Sequence, residues 1–264
     1  MCAVCLAAGA FPVLADGVVE INAARAMKGG VTATDLPGYP ITIASSGSYR
    51  LTSDLDLRGL PDAANLTAIE ITHVEVTLDL GGFSIIGPNT GCPSACTASG
   101  NGRGIRAPNR AVIENGSVSG MGSEGILSSF LSRFSNLRLS GNGWHGLSLD
   151  GGVFGEDSSI VLDVVSTGNA GAGVVASGIP LLRRVTASGN GGNGALLLDG
   201  GLVLDSSFLD NADFGLESDP SSSAPIAFGR AVLRRNGGGD ALPQIGGVWL
   251  EVGINLCGND TTCP

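Results

Sequence analysis

From Ile41 onward, apolar and polar residues alternate in short runs: Ile41-Thr42-Ile43, Tyr49-Arg50-Leu51, Leu55-Asp56-Leu57, Ile69-Glu70-Ile71 and Val74-Glu75-Val76-Thr77-Leu78-Asp79-Leu80. A period of two places every second side chain on one face, the pattern of strands with a single buried side. Turn residues separate the runs, and no helical stripe of useful length intervenes. A longer period is superimposed on this one. Six glycines are each followed by an apolar residue, at Gly104-Ile105, Gly125-Ile126, Gly146-Leu147, Gly173-Val174, Gly194-Ala195 and Gly215-Leu216, with steps of 21, 21, 27, 21 and 21 residues. A fixed period near 21 means one supersecondary unit stacked on copies of itself.

Two further columns share this register. Asn142, Asn169, Asn190, Asn211 and Asn236 each follow a short apolar-polar-apolar strand, and in the first four the glycine lies four residues later. Counting back five and three residues gives Leu137/Leu139, Val164/Ser166, Val185/Ala187, Ser206/Phe208 and Ala231/Leu233, the pairs expected to point inward. With rungs about 4.8 Å apart, the asparagines would stand above one another and pass amide hydrogen bonds along the axis. The plainer reading makes them markers of exposed turns. Six residues before each asparagine stand Asn136, Asp163, Arg184, Asp205 and Arg230. This column alternates in charge and is expected to form a stacked ion ladder through Asp163, Arg184 and Asp205, which would make Arg184 matter more to stability than Arg183.

Parallel strands joined by turns, with no helices between them and about 21 residues per coil, predict an all-β fold: a single-stranded, right-handed, three-sided parallel β-helix. It is expected over residues 41–258, after a lead-in or N-terminal cap at 16–40 and before a tail at 259–264 that closes a disulfide loop. Tyr49-Arg50-Leu51 with Asp54-Leu55, Ile69-x-Ile71 and Val76-Thr77-Leu78-Asp79-Leu80-Gly81-Gly82-Phe83-Ser84-Ile85-Ile86-Gly87 resemble the first coils of bacterial right-handed β-helix repeat proteins of the pectate-lyase-like superfamily. The resemblance extends over roughly 41 to 258. It implies the fold and leaves activity open, because that superfamily holds lyases, hydrolases, epimerases, adhesins and proteins of no known activity.

Composition narrows the partners. Of 264 residues only 14% are charged while 43% are hydrophobic and 43 are glycine, and the net charge is -10. Nucleic acid is excluded as a partner, since its phosphates need Lys and Arg. The run from Ala3 to Ala15 is apolar, the first charge is Asp16, and Val13-Leu14-Ala15 offers small residues for cleavage, so residues 1–15 are expected to be a signal peptide and the protein secreted or extracytoplasmic. No later run reaches the ~18 apolar residues of a membrane span. Beyond Cys2 and Cys5, the pairs Cys92/Cys96 and Cys257/Cys263 sit in loops without nearby histidine, which predicts two local disulfides.

The chemistry-bearing residues are few. Trp144-His145-Gly146 resembles the Gly-His-Gly motif of polygalacturonases, but no Asp lies between Asp79 and Asp150 to supply the partner carboxylates. His145 is therefore a weak catalytic candidate. Asp210, Asp213, Glu217 and Asp219 form an acidic run suited to calcium, the one cofactor considered, with Arg230 and Arg234 a coil away as potential bases. Arg103 and Arg106 flank the Gly104 turn and could grip an acidic sugar, and Trp144 could stack on a sugar ring. The expectation is a monomeric, non-catalytic carbohydrate-binding or surface scaffold with a polysaccharide partner. The alternative is a polysaccharide lyase or glycoside hydrolase acting on uronate-rich glycans, using the acidic run with Arg230 or Arg234.

Overall fold

The computed structural model describes residues 17–149, 158–261 and 263; the expected signal peptide lies outside them. The chain is a parallel β-solenoid. Nine strands, from Ile41–Ile43 to Ile245–Gly246, stack into a first face, and sixteen others form a second sheet that bends along its length into a second and a third face. Three of those strands, Val112–Ser119, Arg133–Ser140 and Ile160–Thr167, run through the bend. In later coils the bend falls between two short strands, as between Leu181–Arg183 and Thr186–Ser188.

Every partner across the first face is in register: Ile41, Ile69, Ile105, Ile126, Leu147, Val174, Ala195, Leu216 and Ile245 lie above one another. The successive steps are 28, 36, 21, 21, 27, 21, 21 and 29 residues, so the unit of 21 is the minimal coil and the longer coils carry insertions. The inward pairs, from Leu137/Leu139 to Ala231/Leu233, are all buried. Phe134, Phe208 and Phe228 are the largest side chains of the core.

The recurring glycines have a steric cause. None of the six lies at positive φ. A Cβ on Gly173 would stand 2.7 Å from the carbonyl oxygen of Gly194 and 2.8 Å from the Ala187 Cβ, so the next coil occupies the space a side chain needs. Positive φ belongs to another column, the residue just before each ladder asparagine, as at Gly189 with φ 61°. In the last two coils Asp210 and Arg235 take that place and bond each other at 2.6 Å.

The asparagine column is buried and hydrogen-bonded along the axis. Nδ2 of Asn142, Asn169, Asn190 and Asn211 donates to Oδ1 of the next asparagine at 2.8, 3.0, 2.9 and 2.9 Å. Each of those oxygens also accepts the backbone N–H of the asparagine one coil earlier. Gln244 ends the column, its Oε1 accepting from Nδ2 and the backbone N–H of Asn236 at 3.0 Å each.

The charged column forms the bend itself. Asn136, Asp163, Arg184, Asp205 and Arg230 have φ of 53, 56, 54, 53 and 51°, a conformation costing an ordinary residue roughly 1–2 kcal/mol and Asn or Asp less. Arg184 grips Asp163 through two bonds at 2.5 and 2.7 Å. Asp205 is held instead by Arg183 at 3.0 Å and by Arg230 from the next coil. The expected run from Asp163 through Arg184 to Asp205 is thus corrected. The outward Arg183 points into the bend and takes the place given to Arg184, so both arginines carry one ion pair.

The N-terminal end is closed. Val19–Ile21 already pairs with Tyr49–Leu51, and a helix at Ala23–Lys28, capped by the Asn22 side chain, buries Ala26; the segment 16–40 is therefore more regular than a plain lead-in. Asp35 accepts the backbone N–H groups of Thr42 at 2.7 Å and Val31 at 2.9 Å. Thr32 Oγ1 donates to the Thr42 carbonyl and accepts from Ala44 N–H. These side chains satisfy backbone groups on the first strand of the first face, which would otherwise be an open edge.

Candidate functional site

The residue before each recurring glycine stands at the turn into the first face, so Arg103, Glu124 and His145 occupy successive rungs. Arg103 Nε donates to Glu124 Oε2 at 2.7 Å, and Ser123 Oγ donates to the same oxygen at 2.8 Å. Glu124 is nearly buried. On the next rung the His145 Nδ1 accepts the backbone N–H of Ala172 at 2.9 Å. Burial pushes its pKa below the ordinary histidine value, partly opposed by the charge of Glu124. With Nδ1 accepting, the proton of the neutral ring resides on Nε2. The half-exposed Trp144 ring lies 4.6 Å from the imidazole, tilted by 50°. Two rungs further on, Asn193 Oδ1 accepts from Phe214 N–H at 2.9 Å, the same service that His145 gives Ala172.

This geometry explains His145 without catalysis. The nitrogen a general base would use is engaged by a turn N–H, in a position that Asn193 fills equally well. Arg103, Trp144 and His145 are nevertheless gathered into one patch, together with Glu124, which sequence reasoning missed. Extending the 21-residue period one and two coils back from His145 would have found Glu124 and Arg103.

Arg106 lies three residues along from Arg103, on the outward side of the first face. Its Nη1 donates to Glu70 Oε1 at 3.1 Å in a hollow of about 240 Å³ shared with Thr72, Pro108, Leu127 and Ser129. Burial raises the Glu70 pKa and Arg106 opposes it. Both arginines expected to grip a ligand therefore already carry a carboxylate.

The acidic run does not converge. Asp210 is paired with Arg235, Asp219 accepts both the N–H and the hydroxyl of Ser221, and Glu217 accepts from Asn193 Nδ2 at 2.7 Å. Asp213 stands with Glu217 and Phe214 around a separate hollow of about 510 Å³. Among the described residues no three His, Cys, Asp or Glu side chains gather within reach of one metal ion, which corrects the expected calcium cluster. Arg230 is bound to Asp205, and Arg234 to Asp240 at 2.8 Å and Asn259 at 3.1 Å. Neither guanidinium is placed beside the acidic run as a base.

Both disulfides are formed, Cys92 to Cys96 and Cys257 to Cys263. The first loop runs back along later coils: a Cβ on Gly191 would stand 3.1 Å from Pro93 Cβ. No described helix is long and apolar enough to cross a membrane. No protein-family model, curated protein or solved structure matches the chain.

Proposed function

We propose that this β-solenoid is an exported carbohydrate-binding scaffold whose recognition site is the patch of Trp144, His145, Glu124 and Arg103. The half-exposed Trp144, propped against His145 beside an ion-paired carboxylate and guanidinium, carries this reading. An exposed aromatic ring offers an apolar surface to the C–H face of a sugar, and adjacent charged groups offer donors and acceptors to its hydroxyls. The hollow at Arg106 and Glu70 continues the first face and extends the surface for a chain of sugars. Two local disulfides support residence in an oxidising compartment. The test is a glycan array followed by calorimetry, with Trp144→Ala expected to weaken binding at least tenfold. An array without hits, or equal binding by the variant, overturns the proposal.

The proximity of Glu124 to His145 favours one second reading, hydrolysis or lyase chemistry on the bound glycan. Incubation with pectate, alginate and neutral glycans, followed by unsaturated uronates and new reducing ends, separates the two. Turnover lost in Glu124→Gln would establish the enzyme reading.

A further inference from the structure

The outer side of the second face changes character along the solenoid. One outward column reads Ser48, Thr77, Val112 and Arg133 in the first coils, then Ile160, Leu181, Leu202, Ala227 and Leu250. Exposure is 36% at Leu202, 58% at Leu250, and 44% and 47% at the flanking Val248 and Val252. A solvent-facing sheet side is ordinarily polar, as it is here in the early coils. Five stacked aliphatic rungs are a contiguous patch of the kind that marks an interaction surface.

We propose that this aliphatic half-face is the contact between two copies of the chain, paired about a twofold axis near Leu202. Rungs stacked in register make the surface flat, and a flat sheet face meets itself without steric conflict at the ~10 Å spacing of packed sheets. A twofold through the middle rung sets Ile160 of one copy against Leu250 of the other, so the columns cover each other in full. The one charged side chain in the adjoining outward column, Arg183, is turned to Asp205 at 3.0 Å, so self-contact buries no unpaired charge despite a net charge of -10 per copy. Four intervals of ~4.8 Å by about five residues of strand give roughly 300–400 Å² per copy. That is about half of the ~800 Å² of a standard interface, so the dimer is reversible and concentration-dependent. This departs from the monomer expected from sequence, and it uses a surface other than the Trp144 patch.

Sedimentation velocity from about 1 μM to 1 mM tests the proposal. The expected result is a monomer–dimer equilibrium that shifts at least tenfold towards monomer in Leu202→Lys/Leu250→Lys. A monomer across the whole range, a dimer indifferent to those substitutions, or open-ended polymers would each overturn it. Leu202→Cys keeps the question answerable if the double variant misfolds, because a residue near the axis should cross-link to its own copy on mild oxidation. Absence of that cross-link counts against the twofold.

Discussion

Replacing Asn190 by alanine should be among the most damaging single changes in this molecule. Its Oδ1 accepts from the backbone N–H of Asn169 at 3.1 Å and from Asn169 Nδ2 at 3.0 Å. Its Nδ2 donates to Asn211 Oδ1 at 2.9 Å and to the Ser166 carbonyl at 3.1 Å. Truncation removes all four bonds, but the partners suffer unequally. Asn169 Nδ2 keeps the Ser166 hydroxyl at 3.0 Å, and Asn211 Oδ1 keeps the Asn190 backbone N–H at 3.2 Å. The Asn169 backbone N–H loses its acceptor inside a side-chain-lined interior. A buried orphan costs about 1–3 kcal/mol and each other lost bond about 0.5–1.5 kcal/mol, so the expected loss is about 3–5 kcal/mol.

The measurement is urea unfolding followed by far-ultraviolet circular dichroism at pH 7, with Thr186→Ala as an outward-facing control expected within about 0.5 kcal/mol. A loss below about 1 kcal/mol, or one equal to the control, would refute the buried-ladder account. Asn190→Asp adds a check on polarity. One carboxylate oxygen keeps the two donors of Asn169, while the other faces Asn211 Oδ1 and the Ser166 carbonyl, both acceptors. The ionised form is opposed, so the folded-state pKa rises above its unfolded value near 3.9. Stability is then fully retained below that unfolded pKa and lost as pH rises through the folded one. The variant should lie nearest the wild type at pH 3 and furthest at pH 7, and the reverse order would contradict the donor and acceptor roles.

Arg230, with Arg183, holds the Asp205 pKa down to about 2, so this pair stabilises above the unfolded pKa near 3.9 and is lost as pH falls through about 2; Asp205→Asn should shrink the fall in melting temperature between pH 4 and 2. An unaltered acid limb would count against the bend ion pairs. The depressed His145 pKa implies stability lost as pH falls below the ordinary value near 6.5, and His145→Asn, copying Asn193, should keep stability at pH 7 while removing that dependence. Destabilisation by more than about 1.5 kcal/mol at pH 7 would show that the ring does more than accept one N–H. Gly173→Ala should cost about 1–3 kcal/mol by forcing the next coil away, and a neutral melting curve would remove the steric explanation of the glycine period.

The fold was legible because its demands repeat. Gly173 is glycine because the carbonyl of Gly194 fills the place of a side chain, and Asn190 is asparagine because one amide must serve a carbonyl, a neighbouring amide and a backbone N–H together. Those demands recur in every minimal coil, so they print a period on the sequence. Insertions do not repeat, which is why the steps of 28, 36 and 29 residues escaped a reading built on 21. Arg183 was misjudged for a related reason: spacing places it on an outward strand position, whereas its length lets it reach into the bend to Asp205.

The candidate site was harder to see because it occupies positions that the coil leaves free. The residue before each glycine must do no more than complete a turn, and Arg103, Glu124, His145, Ala172, Asn193 and Phe214 all stand there. Such a column carries no period of its own, so Glu124 attracts no notice until the coils are stacked and Arg103 and His145 appear on either side of it. The outer aliphatic column behaves in the same way, since alternation fixes only that Leu202 points outward and leaves its chemistry open. In a solenoid the invariant columns hold the backbone together, and recognition is written into the variable ones. Function is therefore found by reading across the rungs at positions where neighbouring coils disagree.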